Sequence, residues 1–348
     1  MPTNVASPKK TQRNMQGSRA RNHKSHITPL TQRSSSLHVE YTTSQGACIV
    51  GNSETVLSGP EMQSLRGQVQ LVFTSPPFPL NRKKKYGNKE GEEFKKWLAA
   101  FAQPLREMLT EDGSIVIEMG NAWQPGAPVM STLALESLLE FKKAADLHLC
   151  QEFIWYNPSK LPTPAQWVTV ERIRVKDAFT RLWWLSPTTK PKADNRKVLV
   201  EYSAAMKKLL KTKKYNAGTR PSEHVIGPKS FLRNNGGAIA PNVLAAAEDQ
   251  ENAPSNVLVG SNTGNQESYD QHCREQGIAP HPARMPRAIA DFFVRFCTDE
   301  GDLVLDPFSG SNTTGAVAES LGRRWLSIEA NETYARVGAS RFAKVEQR

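Results

Sequence analysis

The sequence predicts an α/β protein whose mostly parallel sheet is covered by helices on both faces. Three observations predict it. From about residue 45 onward, short apolar strands alternate with stretches of helical periodicity. The strands read as continuous apolar runs, as strands buried on both faces do. A chain of 348 residues, 38% of them apolar, is long enough to bury a sizeable core.

Residues 1 to about 44 carry seven Lys or Arg and a single acid, Glu40, among Ser, Thr, Asn and Gln without periodicity. That composition predicts a disordered basic arm, either a solubilising tail or a contact to DNA phosphates. Ala47–Gly51 (ACIVG) and Val69–Phe73 (VQLVF) read as strands. Phe94, Trp97, Leu98, Phe101, Leu105 and Met108 share one face of a helix between Glu92 and Leu109, expected to kink at Pro104. Ser114–Met119 (SIVIEM), Phe153–Tyr156 and Leu182–Leu185 are further strands, with Trp183 and Trp184 read as core. Residues 45–189 thus form one half of the main domain.

Composition changes near Lys190. Between Lys190 and Arg233 there are 12 Lys or Arg and 3 acids, a local balance of 12 − 3 = +9, which sets 190–243 apart as a basic region. Residues 244–279, rich in Asn, Gln, Gly and Ser, read as a linker. In 280–348 the α/β pattern resumes. Met285–Cys297 is a helix with Ile289, Phe292, Phe293 and Phe296 on one face, Leu303–Leu305 a strand, Ala316–Leu321 a helix and Trp325–Ile328 a strand. Asn331 is placed to cap a closing helix.

The net charge of +11 (45 Lys and Arg against 34 Asp and Glu) favours a polyanionic partner, although ribosomal and membrane-surface proteins share that balance. No apolar run approaches the roughly 18 residues of a membrane span, and no apolar signal-peptide core is present at the start. The four cysteines (Cys48, Cys150, Cys273, Cys297) are scattered and form no CxxC pair. They read as reduced thiols of a cytoplasmic protein, and the seven histidines show no ligand spacing, so no metal is expected. No Cys follows a Pro, which argues against the Pro-Cys nucleophile of C5-cytosine methylation.

Two constellations carry chemistry. In the first, a strand ends in Asp306 and runs through Pro-Phe-Ser-Gly-Ser-Asn-Thr-Thr to Gly315, with a helix beginning near Thr313. Such a turn presents backbone N–H groups at the carboxyl edge of a parallel sheet, where open α/β folds bind ligands. Gly310 and Gly315 allow close backbone approach, and the Thr hydroxyls suit a carboxylate. A second strand, Trp325–Glu329, ends in an acid able to accept both hydroxyls of a ribose. An ordinary strand-to-helix turn and a solvent-facing glutamate would look the same taken singly.

The second constellation is Thr74-Ser75-Pro76-Pro77-Phe78, directly after VQLVF. Two prolines remove two backbone donors and leave carbonyls free to accept. Ser75 Oγ and the Pro76 carbonyl would satisfy the two N–H bonds of an exocyclic amine, and Phe78 offers a face on which a flipped base can stack.

Together, DPFSGSNTTG, RWLSIE, TSPPF and HPARMP resemble the signature set of the DNA amino-methyltransferases. Their order, with SPPF first and the glycine loop last, resembles the circularly permuted beta group. Ser in place of the Asp of a DPPY motif resembles the N4-cytosine branch. NPSKLP, RVKDA, TRPSEH and NNGGAIAPN are similar to segments of PvuII-type enzymes of restriction–modification systems. The resemblance spans about 45–348 apart from the stretch near 245–270.

It implies a methyltransferase fold with a seven-stranded sheet carrying a reversed hairpin edge, S-adenosylmethionine at the carboxyl ends of the strands, and an inserted target-recognition region at 190–243. Asp306, Phe308, Gly310, Ser311, Asn312 and Thr313 would hold the methionine part and Glu329 the ribose. Asn52 and Ser53 would contact the adenine, and His281-Pro282 would close over the methionine end. Asn312 stands where many relatives have Gly, and Asn52 where Asp is frequent.

The expected reaction is direct methyl transfer to cytosine N4, with the base rotated out of the duplex. Ser75, Pro76, Pro77 and Phe78 form the acceptor pocket, and Glu118, at the end of a neighbouring strand, takes the released proton through Ser75. Arg82, Lys83, Lys84 and Lys85 are expected on phosphates beside the flipped nucleotide. Arg220, Ser222, Glu223, His224 and Arg233 are candidate base readers. Duplex DNA is the expected partner, with a cognate restriction endonuclease acting on the same site and the enzyme a monomer or weak dimer. Adenine-N6 methylation by the same fold, or a catalytically silent DNA-binding protein, are the competing readings.

Overall fold

The computed structural model describes residues 37–78, 91–157, 160–246, 258–260, 266–343 and 345–347. Its strands are β1 (His38–Thr42), β2 (Gly46–Val50), β3 (Val69–Thr74), β4 (Leu109–Gly120), β5 (His148–Tyr156), β6 (Phe179–Ser186), β7 (Gly218–Thr219), β8 (Val225–Ile226), β9 (Val243–Ala246), β10 (Leu258–Gly260), β11 (Leu303–Asp306), β12 (Arg324–Glu329) and β13 (Glu346–Gln347). Eleven of them form one sheet in the order β10-β9-β5-β6-β4-β3-β11-β12-β2-β1-β13, and β7 and β8 pair separately. The central run β4-β3-β11-β12-β2 is parallel throughout. β6 is antiparallel to both of its neighbours, β4 and β5. That reversed strand completes the seven-stranded unit that the family resemblance implies, and the remaining four strands extend its two edges.

The sheet is buried on both faces because its strands are apolar at successive positions. Val72, Ile115, Ile117, Leu305 and Ile328 pack on one face with residues of α2 (Gly91–Ala100), α3 (Ala102–Met108) and α4 (Leu133–Ala144). Phe73, Val116, Val304 and Trp325 pack on the other with α7 (Arg287–Cys297) and α8 (Thr313–Ser320). Phe73 stacks on Phe293 of α7 at a ring separation of 5.5 Å. Alternate residues of one strand therefore serve two cores. The remaining helices are α1 (Ser53–Ser58), α5 (Ala204–Thr212), α6 (Gln266–Glu275) and α9 (Glu332–Gly338). Asn331 caps α9 by accepting from the Tyr334 N–H at 3.1 Å.

Several boundaries differ from the sequence reading. Of the arm expected over 1–44, residues 1–36 lie outside the described residues, and the remainder holds β1 (His38–Thr42), whose Tyr41 is fully buried against Trp325 and Phe342. The helix expected between Glu92 and Leu109 is two helices divided at Phe101, three residues before Pro104, which sits in the first turn of α3 where its missing N–H costs nothing. The strand read from Ser114 begins at Leu109. The linker expected over 244–279 contains part of β9, β10 and α6, and Tyr269 and Cys273 of α6 are fully buried. Polar composition around them concealed these elements, and β9 and β10 are only four and three residues long.

Candidate active site

β3 and β11 are parallel neighbours, but the chain leaves them in opposite directions across the sheet, toward β4 and toward β12. Their carboxyl ends therefore flank a crevice, the usual ligand position in an open α/β sheet. The two motifs lie there. Thr74 and Thr314 donate their hydroxyls to the two oxygens of Asp306 at 2.8 and 2.7 Å, and the Phe308 N–H donates at 3.1 Å. Burial pushes the Asp306 carboxyl up to about 6, against these three hydrogen bonds, which favour its ionised form.

A cavity of about 600 Å³ opens at this edge. Ser75, Pro76, Pro77 and Phe78 line one side, and Asp306, Phe308, Gly310, Ser311 and Thr313 the other. Glu329, Asn52, Ser53 and His281 complete the set of expected residues that reach it. Gly310 has φ +52, so the loop needs glycine for its backbone geometry, and a Cβ there would also crowd the His281 ring at 3.1 Å. The Gly310 N–H donates to Glu329 Oε2 and the Asn331 N–H to Oε1, both at 2.8 Å. The Ala330 N–H also reaches this carboxylate, which still leaves acceptor capacity for a ligand hydroxyl, and burial raises the Glu329 carboxyl above its ordinary range. The Ser53 hydroxyl donates to the Pro307 carbonyl, tying α1 to the loop, while Asn52 caps α1 through the Glu54 N–H at 2.8 Å.

Two expected cofactor residues do not line the cavity. Asn312 is fully buried and turned inward: it caps α8 through the Gly315 N–H, accepts from Ser327 Oγ at 2.7 Å and donates to Tyr41 Oη at 2.8 Å. Its φ of +54 explains why Asn can stand where glycine is frequent, since Asn tolerates the left-handed region. Pro282 is exposed beside His281, outside the lining. Glu118 also lies behind the cavity. β3 and β4 pair Thr74 with Ile117, which brings Glu118 beside Ser75, and the two side chains are hydrogen-bonded. Thr180 donates to Glu118 Oε1 at 3.3 Å, and burial raises this carboxyl also.

The cavity has an aromatic wall to which neither sequence motif pointed. Phe308 packs on Trp97 at 5.6 Å and on Phe101 at 5.1 Å, and Phe94, Trp97 and Phe101 all line the space. Their helical spacing marked them only as a core face. Thr74, Thr314, Arg284, Met285 and Tyr334 also reach it. Arg341 supports the loop from outside, donating to the Ser311 carbonyl at 2.6 Å and its hydroxyl at 3.0 Å. Of the expected DNA contacts, Arg82, Lys83, Lys84 and Lys85 lie outside the described residues. Arg220, Ser222, Glu223 and His224 form the exposed turn between β7 and β8, closed by a 2.8 Å bond from the Arg220 N–H to the His224 carbonyl. Arg233 is exposed in a following turn, and none of these five lines the cavity.

A serine–diproline turn facing an aspartate-led glycine loop across one cavity is the arrangement that the sequence motifs foreshadowed, and comparison with known proteins agrees. The profile of a family described as DNA methylase matches residues 69–340. The chain belongs to the DNA methylase family. This methylase is 42% identical over 304 residues to the type II methyltransferase M.PvuII of Proteus hauseri, covering 87% of the present chain and 85% of that relative. It is similar to the solved structure of the PvuII DNA methyltransferase (cytosine-N4-specific), with a TM-score of 0.65, 36% identity, and coverage of 87% and 88% of the two chains. A shorter likeness, 44% over 62 residues, links the methylase to the DNA adenine methyltransferase YhdJ of Escherichia coli strain K12, covering 18% of this chain and 21% of that one. Among the described residues of the methylase, no helix is long and apolar enough to cross a membrane.

Proposed function

We propose that this methylase is a site-specific DNA methyltransferase that transfers a methyl group from S-adenosylmethionine to N4 of a cytosine rotated out of duplex DNA. The observation that carries the reading is the union, in one cavity, of the Ser75-Pro76-Pro77-Phe78 turn with the Asp306–Thr313 loop, joined through the Thr74–Asp306 hydrogen bond. Serine before the diproline and the near full-length likeness to a relative named cytosine-N4-specific favour cytosine.

The residues fit the cofactor. Phe308 and the Trp97–Phe101 wall offer an apolar surface, Glu329 retains acceptor capacity for ribose hydroxyls, and Gly310 leaves room where a Cβ would intrude. The buried Asp306 carboxyl complements a cationic group. S-adenosylmethionine, when bound, supplies a methyl carbon made electrophilic by its sulfonium.

The protein's own groups do the rest. An exocyclic amine shares its lone pair with the ring and is a weak nucleophile. Acceptors at Ser75 Oγ and the Pro76 carbonyl orient its two N–H bonds and free that lone pair. Phe78 is held for stacking on the base by Gly120, whose missing Cβ would otherwise lie 2.7 Å from the ring. Glu118 accepts the proton released after transfer, through its hydrogen bond with Ser75. Arg82–Lys85 hold phosphates beside the extruded nucleotide, and the Arg220–His224 turn with Arg233 reads base edges. The reading includes action in the cytoplasm as a monomer or weak dimer, protecting DNA from an endonuclease of the same specificity.

The test is to digest plasmid DNA from cells expressing the full chain to nucleosides and to map the modified positions. N4-methylcytosine in a single sequence context is expected. N6-methyladenine would replace the substrate, and unmodified DNA would overturn the proposal.

A further inference from the structure

Eleven large apolar side chains are exposed among the described residues, and six of them fall in two short stretches: Val129 and Met130, and Leu161, Val170, Ile173 and Val175. Single exposed apolar residues are ordinary, whereas a concentration marks an interaction surface. The two stretches are joined, since Arg174 Nε donates to the Pro128 carbonyl at 2.7 Å.

Topology places the longer stretch at the acceptor side of the cavity. The segment between β5 and β6 re-enters the sheet at Phe179, and because β6 runs against β4, Thr180 and Arg181 pair with Gly120 and Met119 at the carboxyl end of β4. Thr180 donates to Glu118, which is hydrogen-bonded to Ser75. The base of the segment is therefore two side chains from the acceptor serine. That base is clamped: Lys160 Nζ donates to Asp177 Oδ2 at 3.1 Å and to the Phe179 carbonyl at 3.2 Å, and Asn121 Nδ2 donates to Asp177 Oδ1 at 2.9 Å. Beyond the clamp, Arg172-Ile173-Arg174-Val175-Lys176 alternates basic with apolar residues, all of them exposed, and Val175 is 87% accessible.

We propose that the segment Leu161–Lys176 enters duplex DNA beside the extruded base, with Ile173 and Val175 filling the vacated stack and the flanking Arg172 and Lys176 facing the phosphates. This rests on the DNA methyltransferase reading of the chain. Extrusion leaves a gap between neighbouring base pairs, and apolar side chains that occupy such a gap offset the lost stacking. A basic rim selects a polyanion over a protein or lipid surface for the same apolar residues.

The experiment uses the full chain with S-adenosylmethionine and duplexes carrying the mapped target context, and compares Ile173→Ala/Val175→Ala with the unsubstituted protein. Both side chains are exposed, and unchanged melting of the double variant checks that the fold is intact. On a fully paired duplex, kcat/KM is expected to fall about tenfold or more, with a matching loss of 2-aminopurine fluorescence gain at the target position. On a duplex whose target cytosine is mismatched, and so already easily extruded, the loss is expected to shrink to about threefold or less. Equal turnover of both proteins on paired DNA, or equal loss on both duplexes, would overturn the proposal. So would a dimer of the unsubstituted protein in sedimentation that the substitutions dissociate, because the patch would then be a self-association surface. An inactive unsubstituted chain would remove the methyltransferase reading and this proposal with it.

Discussion

Thr74 donates its hydroxyl to Asp306 Oδ1 across 2.8 Å, joining two residues 232 positions apart in the chain. One belongs to the strand that delivers the acceptor turn and the other to the strand that delivers the glycine loop. The β3–β11 pairing sets the two motifs side by side and this one carboxylate ties their ends together, so its protonation state is the first property to test.

Burial raises Asp306 from 3.8 to about 6. The folded protein then holds this proton more tightly than the unfolded chain. Its contribution to stability is present below about pH 4 and is lost as pH rises through about 6. Ionisation over the same window prepares the site for a cationic ligand. In calorimetric titrations from pH 5 to 8, affinity for S-adenosylmethionine is expected to rise toward neutral pH, and Asp306→Asn is expected to flatten that rise. An identical pH dependence in the variant would assign the effect to another group.

Gly310→Ala places a side chain at φ +52 and within 3.1 Å of the His281 ring. The backbone term alone is about 1–2 kcal/mol. Because the Gly310 N–H also holds Glu329, any displacement of the loop reaches the carboxylate proposed to bind the ribose. Cofactor affinity is expected to weaken about tenfold or more, a loss of at least ~1.4 kcal/mol measurable by isothermal calorimetry.

Asn312 separates a structural role from a binding role. Asn312→Ala removes the cap of α8, forces Ala into the left-handed region and leaves the buried Tyr41 and Ser327 hydroxyls short of a partner. Together these should lower unfolding free energy by about 2–4 kcal/mol in denaturant titration. Asn312→Gly keeps the backbone conformation and should lose about 1 kcal/mol less. Near-native stability in the Ala variant, with cofactor binding lost, would return Asn312 to the ligand.

Ser75→Ala and Glu118→Gln should both slow single-turnover methyl transfer, by about 100-fold and about tenfold respectively, with little change in cofactor binding. The raised Glu118 carboxyl implies that the acid limb of the rate profile lies above the ordinary carboxylate range, and Glu118→Gln should abolish that limb. Full turnover in Glu118→Gln alongside an inactive Ser75→Ala would remove Glu118 from the proton path.

By itself, the sequence determined what local chemistry controls. Apolar runs buried on both faces fixed the sheet strands, Asn331 capped its helix, and the strand-to-turn motifs at Thr74–Phe78 and Asp306–Thr313 marked the ligand edge. It also located Glu118 next to Ser75, because neighbouring parallel strands end in register. Tertiary structure alone decided what depends on which way a side chain turns. Asn312 in a glycine loop reads as a ligand contact until Tyr41 and Ser327 claim it from behind. Phe94, Trp97 and Phe101 read as core because one apolar helix face can cover both a sheet and the wall of a cavity. Strand β1 and helix α6 went unseen because each is short and polar and is anchored chiefly by a buried tyrosine, Tyr41 or Tyr269, whose partners lie elsewhere in the chain. Periodicity records which residues avoid water, whereas a site is made by the distant residues that meet there.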